Sequence, residues 1–351
     1  MKKSQILVIG SQGYIGSKLM FDLKKNGFNC VGIDVGYFKN GKIGKIYKEY
    51  EKKLDANFIK ESDIKKFDTI IQLADFSNDP IEKTSPKKFY NKTREYTIRI
   101  AKICKKLGIK FIYPSSCSVY GRTSKVVDEK SKINPQTYYS LNKLKIESEL
   151  KKLSDDNFVP IILRLATVFG FSPRIRFDVA INMFLGMALT TKKIILNSNG
   201  MAWRPHLYIN DVSEVIIDFI NFRNLKNKYF PLNVGSYHNN QKIISIAKKI
   251  KRQIPNCKIE FLTNNKNLKI KKNLVKDRKI IKGKDKRTYI VNFDKIKKIL
   301  KNKRFTKIDK GIKETIFYLK KNKFDLRLFQ KRDFYRLQQI EYLYKKGKIK
   351  I

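Results

Sequence analysis

In the first half of the chain, short apolar runs alternate with longer stretches in which apolar residues recur at helical spacing. The apolar runs predict strands over 6–9, 30–33, 69–73, 111–113 and 160–165, and the helical spacing predicts helices over 15–25, 86–107 and 138–152. Strands that alternate with helices are typical of a parallel sheet with helices on both faces. The first half therefore predicts an α/β fold of the Rossmann type, with a doubly wound parallel sheet.

The pattern becomes irregular after about residue 170, where we predict a helix over 178–189, a strand over 193–196 and a helix from 211. We expect residues 1–170 to form one domain, with segments around 205–235 returning to it, and residues 171–320 to form a smaller C-terminal lobe. The lysine-rich stretch 258–287 is poorly periodic and is expected to be a solvated loop. The tail 321–351 is expected to be helical, with apolar residues that pack on the body or on a partner subunit.

The chain has 351 residues and a formal net charge of +47, almost all of the excess being lysine. A basic patch would indicate nucleic acid or an anionic membrane, but these lysines run through every segment, which favours a compositional bias. We therefore expect no specific nucleic-acid or membrane partner. The chain has no run of about 18 apolar residues and its four cysteines are scattered, so we expect a cytoplasmic protein with free thiols and no metal site.

A glycine turn follows the first predicted strand and opens the first helix: Gly10, Gly13 and Gly16 in the spacing GxxGxxG. Such a turn lets the backbone approach a pyrophosphate and directs the N–H groups of the helix N-terminus, here at Tyr14 and Ile15, toward its charge. These five residues are candidate binding residues for a dinucleotide.

Two aspartates follow the next predicted strands. Asp34 ends the second strand, where a carboxylate accepts hydrogen bonds from the adenosine ribose hydroxyls and repels a 2′-phosphate. This position favours NAD over NADP. Asp55 could meet the adenine amino group, although a solvated turn aspartate explains it equally well.

The candidate chemistry lies in Ser115-Ser116-Cys117-Ser118 at a strand end and in Tyr139 and Lys143 on the following helix. Residues four apart share one helix face, so the Lys143 ammonium can lower the pKa of the Tyr139 phenol and make it a base near neutral pH. In a lysine-rich chain the spacing alone is weak, and Tyr344 with Lys348 repeats it in the tail. The serine-rich strand end and the preceding nucleotide motif single out Tyr139.

Taken together, these motifs resemble the extended short-chain dehydrogenase/reductase superfamily, specifically its nucleotide-sugar epimerase and dehydratase branch. The resemblance spans most of the chain and also includes Leu73-Ala74, Asn91, Leu163-Arg164-Leu165, Trp203-Arg204-Pro205 and Leu232-Asn233-Val234-Gly235. It implies that the first domain binds NAD, that the lobe binds a nucleotide sugar, and that two helices per subunit, here 86–107 and 138–152, form a homodimer.

The resemblance also implies a role for each matched residue. Ser116 would hydrogen-bond the reacting sugar hydroxyl, Tyr139 would remove its proton, and Lys143 would also hold the nicotinamide ribose. Leu73, Ala74 and Asn91 would line the cofactor. Residues expected to face the substrate or its diphosphate are Ser118, Asn182 and Arg204, with Asp285 and Arg287 as weaker candidates near the same phosphates.

The chain departs from the 4,6-dehydratases of this superfamily, which carry an Asp-Glu pair after the catalytic Ser or Thr, where this chain has Cys117 and Ser118. Elimination of water lacks its acid and base without that pair. We therefore expect an NAD-dependent epimerase, most readily at C4. A sugar 4-dehydrogenase or ketosugar reductase of the same fold remains open, as does a non-catalytic NAD- or RNA-binding relative.

Overall fold

The structure is a computed structural model and describes residues 4–44, 51–77, 86–222, 230–262 and 287–349. Its strands are β1 Gln5–Ile9, β2 Asn29–Asp34, β3 Glu51–Lys53, β4 Thr69–Gln72, β5 Lys110–Ser116, β6 Arg122–Val127, β7 Ile161–Leu165, β8 Thr167–Phe169, β9 Lys193–Leu196, β10 Trp203–Tyr208, β11 Phe230–Val234, β12 Asn240–Lys242, β13 Lys258–Phe261 and β14 Thr288–Val291. Its helices are α1 Tyr14–Lys25, α2 Glu61–Ile64, α3 Pro86–Leu107, α4 Tyr138–Leu153, α5 Ala180–Thr191, α6 Ile209–Asn221, α7 Ile243–Gln253, α8 Asp294–Ile299, α9 Ile308–Lys321, α10 Leu326–Phe329 and α11 Arg336–Lys345.

The main sheet has seven parallel strands in the order β11-β7-β5-β4-β1-β2-β3. After β3 at one edge, the chain returns to place β4 on the other side of β1. In open sheets of this kind, ligands bind beyond the carboxyl ends of the strands where the strand order reverses. The fold therefore predicts a ligand site at the carboxyl ends of β1 and β4. The predicted α/β class with a doubly wound sheet is confirmed.

Strand β1 shows why the sheet is covered on both faces. Ile6 and Val8 pack into one hydrophobic cluster, while Leu7 and Ile9 pack into another, because alternate side chains of a strand point to opposite faces. Helices α1 and α6 cover the first face, and α3 and α4 cover the second. The continuous apolar run from Ile6 to Ile9 therefore belongs in a sheet buried on both sides.

The second half builds a separate hydrophobic cluster from α5, α7, α9 and the tail. The small parallel pair β13-β9 lies beside these helices. Strand β13 occupies the start of the stretch 258–287 that was predicted to be a loop; residues 263–286 of that stretch lie outside the described residues.

Residues after 287 return to the main core. Strand β14 pairs in parallel with β6, and Val291, Phe293 and Ile296 join the cluster on the α1 and α6 face. This return depends on a pairing between distant segments, which local sequence patterns do not reveal.

The tail packs on the body, as predicted, but only its second helix is long. Helix α10 is a single turn, and α11 follows after a short 3₁₀ segment. Phe329, Phe334, Ile340 and Leu343 are buried, whereas Leu326 remains exposed. In the part of the chain that the structure describes, no helix is both long and apolar enough to cross a membrane.

Candidate active site

The glycine turn lies at the carboxyl end of β1, where the strand order reverses. Gly10 has a φ of 92°, and a Cβ there would lie 2.5 Å from the backbone N of Ala74. A Cβ on Gly16 would overlap the carbonyl oxygen of Gly10. Helix α1 then begins at Tyr14 with no acidic residue in its first turn. The turn is therefore a close-packed backbone cradle that opens onto a positive helix end, as an anionic phosphate requires.

Asp34 lies beside this turn at the end of β2. Its Oδ2 accepts a hydrogen bond from the Gln12 N–H at 2.9 Å and its Oδ1 accepts one from the Gly36 N–H at 2.7 Å. Burial raises the pKa of the Asp34 carboxyl, and these two hydrogen bonds oppose that rise. The hydrogen bonds fix the carboxylate at the cleft wall, with lone pairs left for a ribose hydroxyl.

A cleft extends from the glycine turn past Asp34 and Asp55 to the end of β4. Asp55 caps a short 3₁₀ turn, where its Oδ1 accepts a hydrogen bond from the Asn57 N–H at 2.9 Å. Predicted cofactor-binding residues and one residue of the tail line the cleft together. The lining includes Gly10, Gly13, Asp34, Asp55, Leu73, Ala74, Asp75 and Ile349.

Helix α4 positions Tyr139 and Lys143 at the end of β5. Thr137 caps the helix by accepting a hydrogen bond from the Ser140 N–H at 3.2 Å. Nζ of Lys143 lies 5.8 Å from the centre of the Tyr139 ring and donates a hydrogen bond to the Pro114 carbonyl at 2.7 Å. The cation and the phenol are therefore neighbours on one helix face, as the spacing predicted.

The ammonium of Lys143 is buried and lies over the ring of Tyr113, 4.5 Å from its centre. Burial by itself lowers the pKa of Lys143, but neighbouring Tyr113 and Asp75 raise it above its usual value. Lys143 is therefore a permanent cation beside Tyr139 at any physiological pH.

Buried contacts hold the serine-rich end of β5 in place. Ser115 donates a hydrogen bond to Glu147 of α4, whose carboxylate also accepts from Nη2 of Arg164 on β7 at 2.7 Å. Ser116 differs from Ser115, because it is only half-buried and its Oγ accepts the Ser118 N–H at 3.1 Å. The Ser118 hydroxyl is buried and has no hydrogen-bond partner among the described residues. Of the serines in this turn, Ser116 and Ser118 can still accept new partners.

Cys117, which stands where related dehydratases carry an acid, is buried, and its Sγ donates to the Arg164 carbonyl at 3.1 Å. Burial raises the pKa of its thiol. The side chain is therefore a neutral part of the core rather than a proton donor for elimination.

A family model described as "NAD dependent epimerase/dehydratase family" matches residues 6–235, which include the glycine turn, Ser116, Tyr139 and Lys143. The chain belongs to this family. NAD is its cofactor, and the chain is an NAD-dependent enzyme of sugar-nucleotide chemistry. The glycine cradle and the Asp34 carboxylate fit that cofactor.

The chain is 30% identical over 224 residues to a protein named "Uncharacterized UDP-glucose epimerase YtcB" from Bacillus subtilis (strain 168), a match of 59% of this chain and 69% of that protein. The fold of this chain is similar to that of TunA, an NAD-dependent NDP-hexosamine 5,6-dehydratase. The TM-score is 0.75 at 16% identity, over 91% of this chain and 98% of TunA. The fold is also similar to that of UDP-glucuronic acid 4-epimerase from Bacillus cereus, in complex with UDP-glucuronic acid and NAD, with a TM-score of 0.70 at 22% identity over 90% of this chain and 99% of that one.

The structure does not bring Asn91 to the cofactor cleft. Its side chain is exposed on α3 and accepts a hydrogen bond from Nη2 of Arg94 at 3.1 Å. The inward face of α3 instead carries Thr93, whose Oγ1 accepts from Asn142 at 3.0 Å. The phase of a helix decides which of two nearby polar residues faces inward, and local patterns around residue 91 do not fix it.

The predicted substrate residues lie in two places. Asn182 is fully buried, with Oδ1 accepting from the Gly170 N–H at 2.9 Å and Nδ2 donating to the Tyr14 hydroxyl at 3.2 Å and to the Arg176 carbonyl at 3.0 Å. Asn182 and the Tyr14 side chain thus connect α1 to the segment before α5 through hydrogen bonds. Their contacts therefore stabilise the fold. The Arg204 guanidinium is buried against the Tyr289 ring at 5.3 Å and donates to the carbonyl of Arg287. Asp285 lies outside the described residues.

Sequence reasoning missed an arginine cluster next to the glycine turn, formed by Arg174, Arg176 and Arg336. Arg174 donates to the Gln12 side chain at 3.2 Å, and Arg176 pairs with Asp178 at 2.5 Å. Burial and the neighbouring Arg176 lower the pKa of Arg336 to about 9. Arg336 comes from the tail, so no local spacing could have indicated the cluster. Within the described ranges, no group of His, Cys, Asp and Glu could hold a metal ion.

Proposed function

We propose that this protein epimerises a nucleotide-diphosphate sugar at C4 through a transient 4-keto sugar. The observation that carries the proposal is the placement of Tyr139 beside the permanent cation of Lys143, on a helix that flanks the serine turn after β5. The names of two similar proteins, a UDP-glucose epimerase and a UDP-glucuronic acid 4-epimerase, support the substrate class.

In this proposal, Ser116 donates a hydrogen bond that orients the reacting hydroxyl, and Tyr139 takes its proton as the base. The positive charge of Lys143 stabilises the tyrosinate that this role requires. NAD held by the glycine turn and beside the Asp34 carboxylate would supply reversible hydride transfer with the sugar carbon. The 4-keto sugar rotates in the site, so that the hydride returns to its opposite face, and Tyr139 then gives the proton back. The product is the inverted alcohol, and no net oxidation occurs.

The surroundings of the serine turn favour epimerisation over elimination. Loss of water needs an acid beside the reacting sugar, and Cys117 at the corresponding position is buried and neutral. Ser118 keeps a buried hydroxyl without a partner among the described residues, which suits a substrate hydroxyl. We propose Ser118, Arg204 and Arg287 as substrate-binding residues.

We further propose that the protein acts as a homodimer through α3 and α4. These two helices pack side by side on one face of the sheet, and α4 leaves Tyr138 and Leu141 exposed to 42% and 37%. Two such helices from each of two subunits would cover these side chains.

The substitution Tyr139→Phe tests the proposed base. It is expected to lower turnover of the nucleotide-sugar substrate about 100-fold or more, the scale of a lost general base, while NAD binding and thermal stability stay near their original values. Turnover is measured on UDP-, GDP-, dTDP- and CDP-sugars. Tyr237→Phe is the matched control, because Tyr237 is 58% exposed and has no part in the proposed mechanism. Undiminished turnover in Tyr139→Phe would remove the base from the mechanism.

A further inference from the structure

A carboxylate that the mechanism does not use lies inside the cofactor cleft. Asp75 follows β4 directly after Leu73 and Ala74, and its side chain is 7% exposed. It lines the same cleft as Gly10 and Asp34. A buried carboxylate is costly unless it is paired and hydrogen-bonded, so its partners need an explanation.

The pairing of Asp75 is incomplete. Its Oδ2 lies 3.0 Å from Nζ of Lys143, which makes an ion pair, but neither oxygen accepts a hydrogen bond of ordinary geometry from any described residue. Lys143 gives its own hydrogen bond at 2.7 Å to the carbonyl of Pro114. The charge of Asp75 is thus balanced while its lone pairs, buried at the cleft wall, remain available to a donor in the cleft.

Hydroxyl groups are the donors that a dinucleotide offers at such a position, and Asp34 already stands at the other end of the cleft for one ribose. We propose that Asp75 is a positioning residue of the cofactor site, which accepts a hydrogen bond from a hydroxyl of the ribose next to the nicotinamide while it holds the Lys143 ammonium in place. This inference rests on the roles given to Lys143 and Tyr139 under the proposed function.

The ion pair between Asp75 and Lys143 affects the pH at which Tyr139 ionises, and therefore the pH dependence of the reaction. Three tyrosines face Lys143 and Asp75: Tyr113 on β5, Tyr96 on α3 and Tyr139 on α4. Arg176, in the segment before α5, interacts electrostatically with Tyr139. Asp75 offsets the positive charge that stabilises the Tyr139 phenolate. Removal of the Asp75 charge therefore lets Tyr139 ionise at a lower pH.

Two variants of the full-length protein separate these effects. Asp75→Ala removes the acceptor and is expected to weaken NAD binding about tenfold. Asp75→Asn keeps an oxygen acceptor and is expected to stay within about threefold of the original affinity, while the acidic limb of its pH profile for turnover moves about one unit lower. Affinity is measured by equilibrium dialysis with radiolabelled NAD, and thermal unfolding checks the fold. Asp309→Ala, which removes a carboxylate that is 55% exposed on α9, controls for net charge.

The inference is overturned if Asp75→Ala and Asp75→Asn are folded, bind NAD as tightly as the original protein, and keep its pH profile. Dialysis needs no turnover, so this failure is distinct from a failure of the base assignment, which Tyr139→Phe tests. If Asp75→Asn loses NAD as severely as Asp75→Ala, the charge rather than the acceptor is decisive and the hydrogen bond to the ribose is wrong.

Discussion

His206 lies in the core beside Phe169, and neither of its ring nitrogens has a hydrogen-bond partner among the described residues. Burial, together with the nearby charge of Arg204, lowers its pKa from 6.5 to about 3. The folded protein therefore keeps a neutral imidazole at a pH where the unfolded chain binds a proton. The stability that His206 contributes is fully present above pH 6.5 and is lost as the pH falls toward 3.

His206→Phe is expected to remove this acid sensitivity. Between pH 6.5 and 5 the original protein should lose about 1.6 kcal/mol of unfolding free energy through His206, since each unit of pKa difference is worth about 1.4 kcal/mol and the unfolded histidine is already half protonated at pH 6.5. Urea unfolding at the two pH values measures the loss. The chain has two histidines, so His238→Gln at an exposed position is the control. An equal loss in His206→Phe would contradict the assignment.

Among single residues, the sequence predicted those whose partners are local. Tyr139 and Lys143 share a helix turn, and Gly10 ends the first strand, so spacing alone brings each motif together. Asp75 could not be recognised, because its role depends on Lys143 on a distant helix.

At the scale of elements, the tail packs beside the cofactor cleft, and its residue Ile349 lines the cleft. Gln339 of α11 donates to the Tyr37 carbonyl at 2.9 Å, and the Arg336 guanidinium stacks on Phe38 at 3.9 Å. Ile349 is 4% exposed and joins a cluster with Phe89, Tyr90, Ile340 and Leu343. The amphipathic pattern of the tail predicted burial, but the surface that it covers is set by contacts with α3 and the loop after β2.

Ile349→Asp is expected to weaken NAD binding at least about tenfold, because a carboxylate replaces an apolar side chain in the cleft wall. Equilibrium dialysis with radiolabelled NAD measures the change. Leu326→Asp adds the same charge to α10, where the side chain is 39% exposed, and should bind NAD normally. If both variants bind NAD equally well, the tail does not contribute to the cofactor site.

At the scale of the whole molecule, the five strands β1, β2, β4, β5 and β7 of the main sheet were accessible from sequence, because buried parallel strands are apolar runs separated by helices. The edge strand β3 was not accessible, since Glu51–Lys53 contains no apolar residue. The return of β14 to β6 and the meeting of Arg174, Arg176 and Arg336 were not, since each joins segments far apart in the chain. The cofactor half of the site was thus largely predictable, and the parts contributed by the second half were not.

In the proposed mechanism, bound NAD is used and regenerated within one turnover. To test this, the purified protein is denatured and the released nucleotide is assayed, and fresh protein is incubated with nucleotide sugars while absorbance at 340 nm and product stereochemistry are followed. We expect bound NAD, an inverted C4 centre and no net change in absorbance. Steady formation of NADH, or a product altered at another carbon, would rule out C4 epimerisation with regenerated NAD.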